Sequence, residues 1–394
     1  MQKLMLKDLD VTSKKVLVRV DFNVPLNQSG VANDIRIRAA LPTIKYLMEK
    51  SARTILISHM GRPKGKVDPK LKMDIVAREL SQLLGINVEK IDSCVGPEAE
   101  AAVGRLSDGG VLLLENVRFY PEETDNDPEF ARKLASLADL YVNDAFGAAH
   151  REHASTAGVA KYLPAAAGFL LEREISIMTQ ALENPRRPFV AVIGGVKISD
   201  KIGVLNNLMQ KVDSMLIGGG MANNFIKAKG IEVGKSVVEE EKVATARDIL
   251  SMAENNGVKL HLPTDVTVAC EISPDAECQV VPVDSIPPEM MVVDIGPETA
   301  GQYAEIVRRA NTVIWNGPMG VFEVDKFARG TETVALAAAE ASLSIVGGGD
   351  SAAAVEKVGV ADRITHISTG GGASLEFLEG KLLPGIAALT NKDE

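Results

Sequence analysis

The chain has 394 residues, 46% hydrophobic and 24% charged, with a formal net charge of -10. That length exceeds what one hydrophobic core usually serves and predicts two or three domains with a cleft between lobes, while the composition excludes disorder as the default. The negative charge excludes a broad nucleic-acid or anionic-membrane surface, so an anionic substrate needs a local basic pocket. Lys3, Lys7, Asp8 and Asp10 interrupt any amino-terminal apolar run, and Cys94, Cys270 and Cys278 have the spacing of neither a disulfide framework nor a zinc site. No signal peptide, no membrane-spanning segment and a cytoplasmic setting are expected.

Short β-branched runs recur, each entering a polar or glycine-rich turn and then a helix-period segment, which predicts parallel βαβ units. In the first half, Lys15 to Val20 leads to Asp21-Phe22-Asn23, and Ile35 to Arg38 carries Arg36. Thr54 to Ser58 leads to His59-Met60-Gly61-Arg62-Pro63, Val111 to Leu114 to Glu115-Asn116-Val117-Arg118, and Leu140 to Val142 to the stretch from Asn143 to His150 and Arg151. Ligands of open parallel sheets bind beyond the carboxyl ends of the strands, so Arg36, Arg62, Arg118 and Arg151 are expected at one sheet edge. Several guanidinium groups at one site imply a polyanion such as a small phosphorylated acid. Alone, each arginine reads as a solvated charge or structural ion pair, and His59 as a neutral structural imidazole.

From Glu172 to Glu183 the spacing of Ile175, Met178 and Leu182 predicts a helix, ended by Asn184-Pro185-Arg186-Arg187-Pro188, and the lobe boundary is placed there. Phe189 to Ile193 then runs into Gly194 and Gly195, with Lys197 and Lys201 four residues apart, a spacing expected to put both on one helix face where phosphates bind. Further strands are expected at Ser214 to Ile217, before Gly218-Gly219-Gly220, and at Lys259 to Leu262. Thr312 to Trp315 precedes Asn316 and a loop ending in Glu323, a candidate for a ribose. Ser344 to Val346 enters Gly347-Gly348-Gly349-Asp350-Ser351, and Arg363 to Ser368 enters Gly370-Gly371-Gly372. Asp350 or Ser351 is expected as a helix N-cap; an acid beside phosphate also implies a bridging divalent cation, magnesium with nucleotides. Two fingerprints fail: Gly347, Gly349 and Ala352 fit G-x-G-x-x-A, but the next strand ends in Ser368 rather than an acid, and Gly234-Lys235-Ser236 lacks the first P-loop glycine.

Taken together these strings resemble the phosphoglycerate kinase family. They are Val18 to Pro25, Ser58 to Pro63, Glu115 to Phe119, Gly194 to Lys201, Trp315 to Pro318, Gly347 to Ser351 and Thr369 to Ser374, seven signatures in family order along the whole chain. The resemblance implies an α/β fold of two Rossmann-like lobes, each a parallel sheet flanked by helices, joined by a hinge helix. It implies reversible phosphoryl transfer between 1,3-bisphosphoglycerate with Mg-ADP and 3-phosphoglycerate with Mg-ATP, by a monomer whose lobes close on their substrates.

Residues 1–170 would form the triose lobe, 171–187 the linker and 188–377 the nucleotide lobe, with 378–394 returning to the first. Asp21, Asn23, Arg36, His59, Met60, Gly61, Arg62, Arg118 and Arg151 fall on triose positions. Gly194, Gly195, Lys197, Lys201, Gly218, Gly219, Asn316, Glu323, Gly348, Gly349, Asp350 and Ser351 fall on nucleotide positions, with Asp350 on the metal. Arg36, Lys197, Lys201, Gly371 and Gly372 would stabilise the moving phosphoryl group. Val196 and Val292 depart from the family's usual alanine and glycine. The rival readings are an NAD-dependent dehydrogenase, against which the missing ribose acid speaks, and a non-catalytic nucleotide-binding regulator, against which Arg36, Lys197, Lys201 and Asp350 speak.

Overall fold

The computed structural model describes residues 3–27 and 30–393. The chain forms two compact units, Met1–Ser176 with Leu382–Glu394, and Ile177–Lys381. It passes from the first to the second inside one helix, Phe169–Glu183.

The first unit is built on strands β1 (Lys15–Arg19), β2 (Arg53–Ile57), β3 (Glu89–Lys90), β4 (Val111–Leu113), β5 (Leu140–Asn143) and β6 (Ala165–Ala167), ordered β3-β4-β2-β1-β5-β6 and parallel throughout. Both faces are covered, which is why β1, β2 and β4 read as continuous apolar runs rather than alternating ones. The helix Ile35–Glu49 buries Ile37, Ala40, Ile44 and Leu47 at helical spacing in the core of this unit. β3 and β6 escape a sequence reading because Glu, Lys and Ala are poor strand formers. β6 pairs nonetheless, its small side chains buried beneath both ends of the chain: the Thr390 N–H donates to the Ala165 carbonyl and Met5 bridges Ala167.

The second unit carries β7 (Phe189–Ile193), β8 (Ser214–Ile217) and β9 (Lys259–His261), then β10 (Asp265–Ala269), β11 (Cys278–Pro282) and β12 (Met291–Ile295), and finally β13 (Thr312–Asn316), β14 (Ser344–Gly347) and β15 (His366–Ile367). Its parallel sheet runs β9-β8-β7-β13-β14-β15, the 3-2-1-4-5-6 order of a doubly wound fold. β15 is shorter than the expected run from Arg363 to Ser368, because Ala361–Arg363 turns as a short helix. The antiparallel sheet β11-β10-β12 was not foreseen. It packs Ala269, Val293 and Phe327 into a small core of their own. In each parallel sheet the strand order reverses at one point, between β1 and β5 and between β7 and β13, which is where ligands of such sheets bind. Among the described residues no helix is long and apolar enough to cross a membrane.

Candidate active site

The loops after β1, β2, β4 and β5 converge in the first unit. Arg36, second residue of its helix, lies with Nη1 3.3 Å from Asp21 Oδ2 and donates to the Asn23 carbonyl at 3.0 Å. Asn23 Oδ1 accepts the Gly61 N–H at 2.9 Å, and Arg118 Nη1 donates to the Gly61 carbonyl at 2.6 Å. Asn116, fully buried, ties two of these loops together: its Oδ1 accepts the N–H groups of Met60 and Arg118, and its Nδ2 donates to the Met60 and Leu71 carbonyls. Met60 itself is buried in the apolar core.

Arg62, Arg118 and Arg151 line one cavity of about 480 Å³ with their neighbours Lys64, Thr124 and His153, and no acid is among its lining residues. Arg36 stands outside that lining. Lys64 and His153 were missed by sequence reasoning, although each follows a recognised arginine by two residues. The Nε of Arg118 is buried and has no hydrogen-bond partner among the described residues. Three guanidinium groups lining one cavity with no acid among them offer an anion several charge-assisted donors.

His59 is buried, and its pKa lies well below the ordinary imidazole value, first because of burial and then because of the positive charges of Arg19, Arg151 and Arg36. Arg19 Nη2 lies 3.1 Å from His59 Nδ1. Arginine only donates, so Nδ1 accepts and the proton of the neutral ring sits on Nε2. The 3.9 Å approach of Nδ1 to Asp21 Oδ1 is therefore not an ion pair. An acidic trio elsewhere in this unit, Asp74, Asp92 and Glu115, is bridged by the Lys90 ammonium, which fills the place a cation would take.

In the second unit the loops after β7, β8 and β13 meet backbone to backbone. Gly195 N–H donates to the Pro318 carbonyl at 3.0 Å and Gly219 N–H to the Met319 carbonyl at 2.9 Å. A Cβ on Gly194 would lie 2.1 Å from the Pro318 carbonyl oxygen, and one on Gly317, where φ is +96°, 2.2 Å from that of Gly194. The expected close approach of these glycines is thus to neighbouring backbone, as it is for Gly219, while Gly218 is approached by the Met319 side chain and Gly349 and Gly371 face open space.

Lys197 and Lys201 do not share a helix face, because residues 195–201 form turns and the helix begins only at Ile202. Lys197 is exposed on that turn, which is anchored where the Ser199 N–H and hydroxyl donate to Glu239. Lys201 donates to Asn316 Oδ1, and its pKa falls below the usual lysine value because burial outweighs the nearby Asp200, Asp350 and Glu379.

Nor does Asp350 or Ser351 cap the helix Gly349–Val358. Its N-cap is Gly348, at φ +94°, and Ser351 Oγ instead accepts the Gly317 N–H at 2.6 Å. Asp350 is left exposed in the first helical turn, beside the free N–H groups of that turn. One hard carboxylate oxygen next to a phosphate cradle fits magnesium, which takes few protein ligands and completes its shell from phosphates and water. The helix Gly371–Leu378 presents a second set of free N–H groups at Gly371 and Gly372.

Beside Asp350 and Glu323 lies a cavity of about 270 Å³ whose walls are mostly apolar. Val196, Val237 and Ile272, three of the large apolar side chains left exposed, line it together with Met291 and Val292 of β12. Exposed apolar groups gathered around one cavity suit a flat base, with Glu323 and Asp350 at its polar rim. Val196 and Val292 are the two departures from the family pattern already noted in the sequence, whereas Val237, Ile272 and Met291 were missed, Met291 because the antiparallel sheet that carries it was not foreseen. Asp294, also lining the cavity, is buried, and its pKa is pushed up to about 8 by that burial, against hydrogen bonds from the Gly330 and Ile295 N–H groups.

The family model for phosphoglycerate kinase matches residues 6–381. The chain is 63% identical to a phosphoglycerate kinase of Moorella thermoacetica and 58% identical to one of Pelotomaculum thermopropionicum, each over the full length of both chains. Among solved structures, the phosphoglycerate kinase from Coxiella burnetii matches with a TM-score of 0.90 at 43% identity, and that from Pyrococcus horikoshii with 0.86 at 36%, each covering 98% of both chains. Two doubly wound sheets, a basic cavity, a glycine-lined apolar cavity and a match along the whole chain lead to one conclusion: the chain belongs to the phosphoglycerate kinase family.

Proposed function

We propose that the enzyme carries out reversible phosphoryl transfer between 1,3-bisphosphoglycerate with Mg-ADP and 3-phosphoglycerate with Mg-ATP, as a cytoplasmic monomer. The glycerate is held in the first unit by Arg62, Arg118 and Arg151, with Asp21, Asn23 and the Nε2–H of His59 alongside. The nucleotide is held in the second unit, its base against the wall formed by Val237, Ile272 and Met291. Its phosphates lie against the turn at Gly348 and Gly349. The observation that carries this reading is a cavity lined by Arg62, Arg118 and Arg151 and by no acid.

An acyl phosphate is an activated donor and a phosphate oxygen the acceptor, so the chain need supply no nucleophile and no base. Its contribution is position and charge. Arg36, steadied by Asp21 and the Asn23 carbonyl, donates to the transferring group, and Lys201, steadied by Asn316, donates from a partly desolvated setting where its charge acts strongly. Lys197 follows the terminal phosphate, and the Gly371 and Gly372 N–H groups receive developing negative charge. Asp350 would hold the magnesium ion of the nucleotide, which when bound neutralises phosphate charge.

A coupled assay with 3-phosphoglycerate and Mg-ATP tests the reading. Turnover that requires both substrates and stops on magnesium chelation is expected, and no turnover with 3-phosphoglycerate would overturn it. Light scattering is expected to give a mass near 42.0 kDa; twice that value would contradict a monomer.

A further inference from the structure

Glu323, at the rim of the apolar cavity of the second unit, is an exposed carboxylate with no hydrogen bond or ion pair of its own among the described residues. Its backbone therefore decides where it stands. That backbone is tied to the helix Gly349–Val358, along which Asp350, Ala354 and Lys357 recur at i, i+4 and i+7 and so share one face. Phe322 packs against Ala354, both buried, and the Lys357 Nζ donates to the Phe322 carbonyl at 2.8 Å and to Asp325 Oδ1 at 2.7 Å.

One ammonium thus bridges residues 322 and 325 and fixes the backbone on both sides of Glu323. The exposed ion pair with Asp325 adds little by itself, but the charge-assisted bond to the partly buried Phe322 carbonyl does not depend on it. Either side of this segment is anchored as well: the Val321 N–H donates to the Val293 carbonyl at 2.8 Å, and Lys326 Nζ to the Ala276 carbonyl at 2.8 Å. The helix that carries Lys357 in its last turn carries Asp350 in its first and follows the Gly348 turn. A rigid helix with a fixed rise per residue therefore sets how far Glu323 stands from the phosphate cradle. In a nucleotide that distance is fixed too, because the ribose is joined covalently to its phosphates.

We infer that Lys357 is a positioning residue of the nucleotide site, holding Glu323 at the distance from the Gly348–Asp350 turn at which its carboxylate accepts the ribose hydroxyls. This rests on the nucleotide-binding reading given above. A lysine that only complemented the negative end of its helix would support stability and leave the recognition of ribose untouched.

Steady-state kinetics on the full chain, with 3-phosphoglycerate and either Mg-ATP or the magnesium complex of 2′,3′-dideoxy-ATP, tests it. The wild type is expected to have a KM about tenfold lower for Mg-ATP than for the dideoxy analogue, the scale of one hydrogen bond to a charged group. Lys357→Met is expected to raise KM for Mg-ATP about fivefold while KM for the analogue and for 3-phosphoglycerate stay unchanged, so that the ratio falls toward one. Glu323→Ala is expected to abolish the ratio, and Lys357→Met to add nothing in that background. A ratio kept in Lys357→Met, a rise shared equally by both nucleotides, or effects that multiply in the double variant would each overturn the assignment. Should Lys357→Met not fold, Lys357→Gln, which keeps a polar tip but lacks the charge and the reach, is read by the same ratio. The wild type separates the readings: no turnover overturns the function, and turnover without discrimination overturns the ribose role of Glu323. Discrimination that survives in the Lys357 variants overturns only this inference.

Discussion

Arg36 shows how far a side chain's meaning depends on what holds it. A screened surface arginine contributes little, but this one is steadied by Asp21 and by the Asn23 carbonyl at the end of β1. Arg36→Ala is expected to lower turnover by about 10³ to 10⁵, the range for an arginine that stabilises a transferring phosphoryl group, with KM for Mg-ATP unchanged. A variant keeping a tenth of wild-type turnover would remove Arg36 from that role. Asp294 makes a prediction about pH. Its folded pKa, about 8, lies above that of an unfolded carboxyl, so its contribution to stability is complete at low pH and is lost as pH rises through 8. The difference in melting temperature between wild type and Asp294→Asn is therefore expected to be smaller at pH 9 than at pH 5. A difference that grows with pH would contradict a protonated Asp294.

At the scale of elements, the ten foreseen strands were legible because a parallel strand covered on both faces is a continuous apolar run bounded by polar turns. The antiparallel sheet was not, since β11 is largely exposed and carries no alternation that marks a buried face. The convergence of Arg62, Arg118 and Arg151 was readable from their places after β2, β4 and β5. The helix imagined for Lys197 and Lys201 was not there, because lysine spacing alone does not locate where a helix begins. The glycines were legible as places of close approach, but what approaches had to be seen. Gly317→Ala would force a Cβ against the Gly194 carbonyl at a φ of +96°, and a loss of about 2 kcal/mol or more, roughly 4 to 8 °C in Tm, is expected in a thermal melt. Gly349→Ala, whose Cβ meets nothing within 4 Å, is expected to keep Tm and raise KM for Mg-ATP. The reverse pattern would contradict the division between packing and ligand-facing glycines.

Over the whole molecule, the chain's last segment belongs to its first unit. Lys3 Nζ donates to the Ala387 and Leu389 carbonyls at 2.8 and 2.7 Å, Asn143 Nδ2 to the Gly385 carbonyl at 3.1 Å, and Leu383 and Leu389 are buried. Ending the chain after Lys381 is expected to cost the first unit at least about 4 kcal/mol, from lost apolar burial and unpaired polar groups. Hydrogen exchange should then show protection lost in β5 and β6 and kept in β7 and β13. The two cavities, basic in one unit and apolar with a glycine turn in the other, imply that each substrate depends on its own unit. Calorimetric titration of Arg118→Ala is expected to show affinity for 3-phosphoglycerate reduced about tenfold or more, with Mg-ADP binding as in the wild type. Undiminished 3-phosphoglycerate binding, or an equal loss for both ligands, would contradict that assignment.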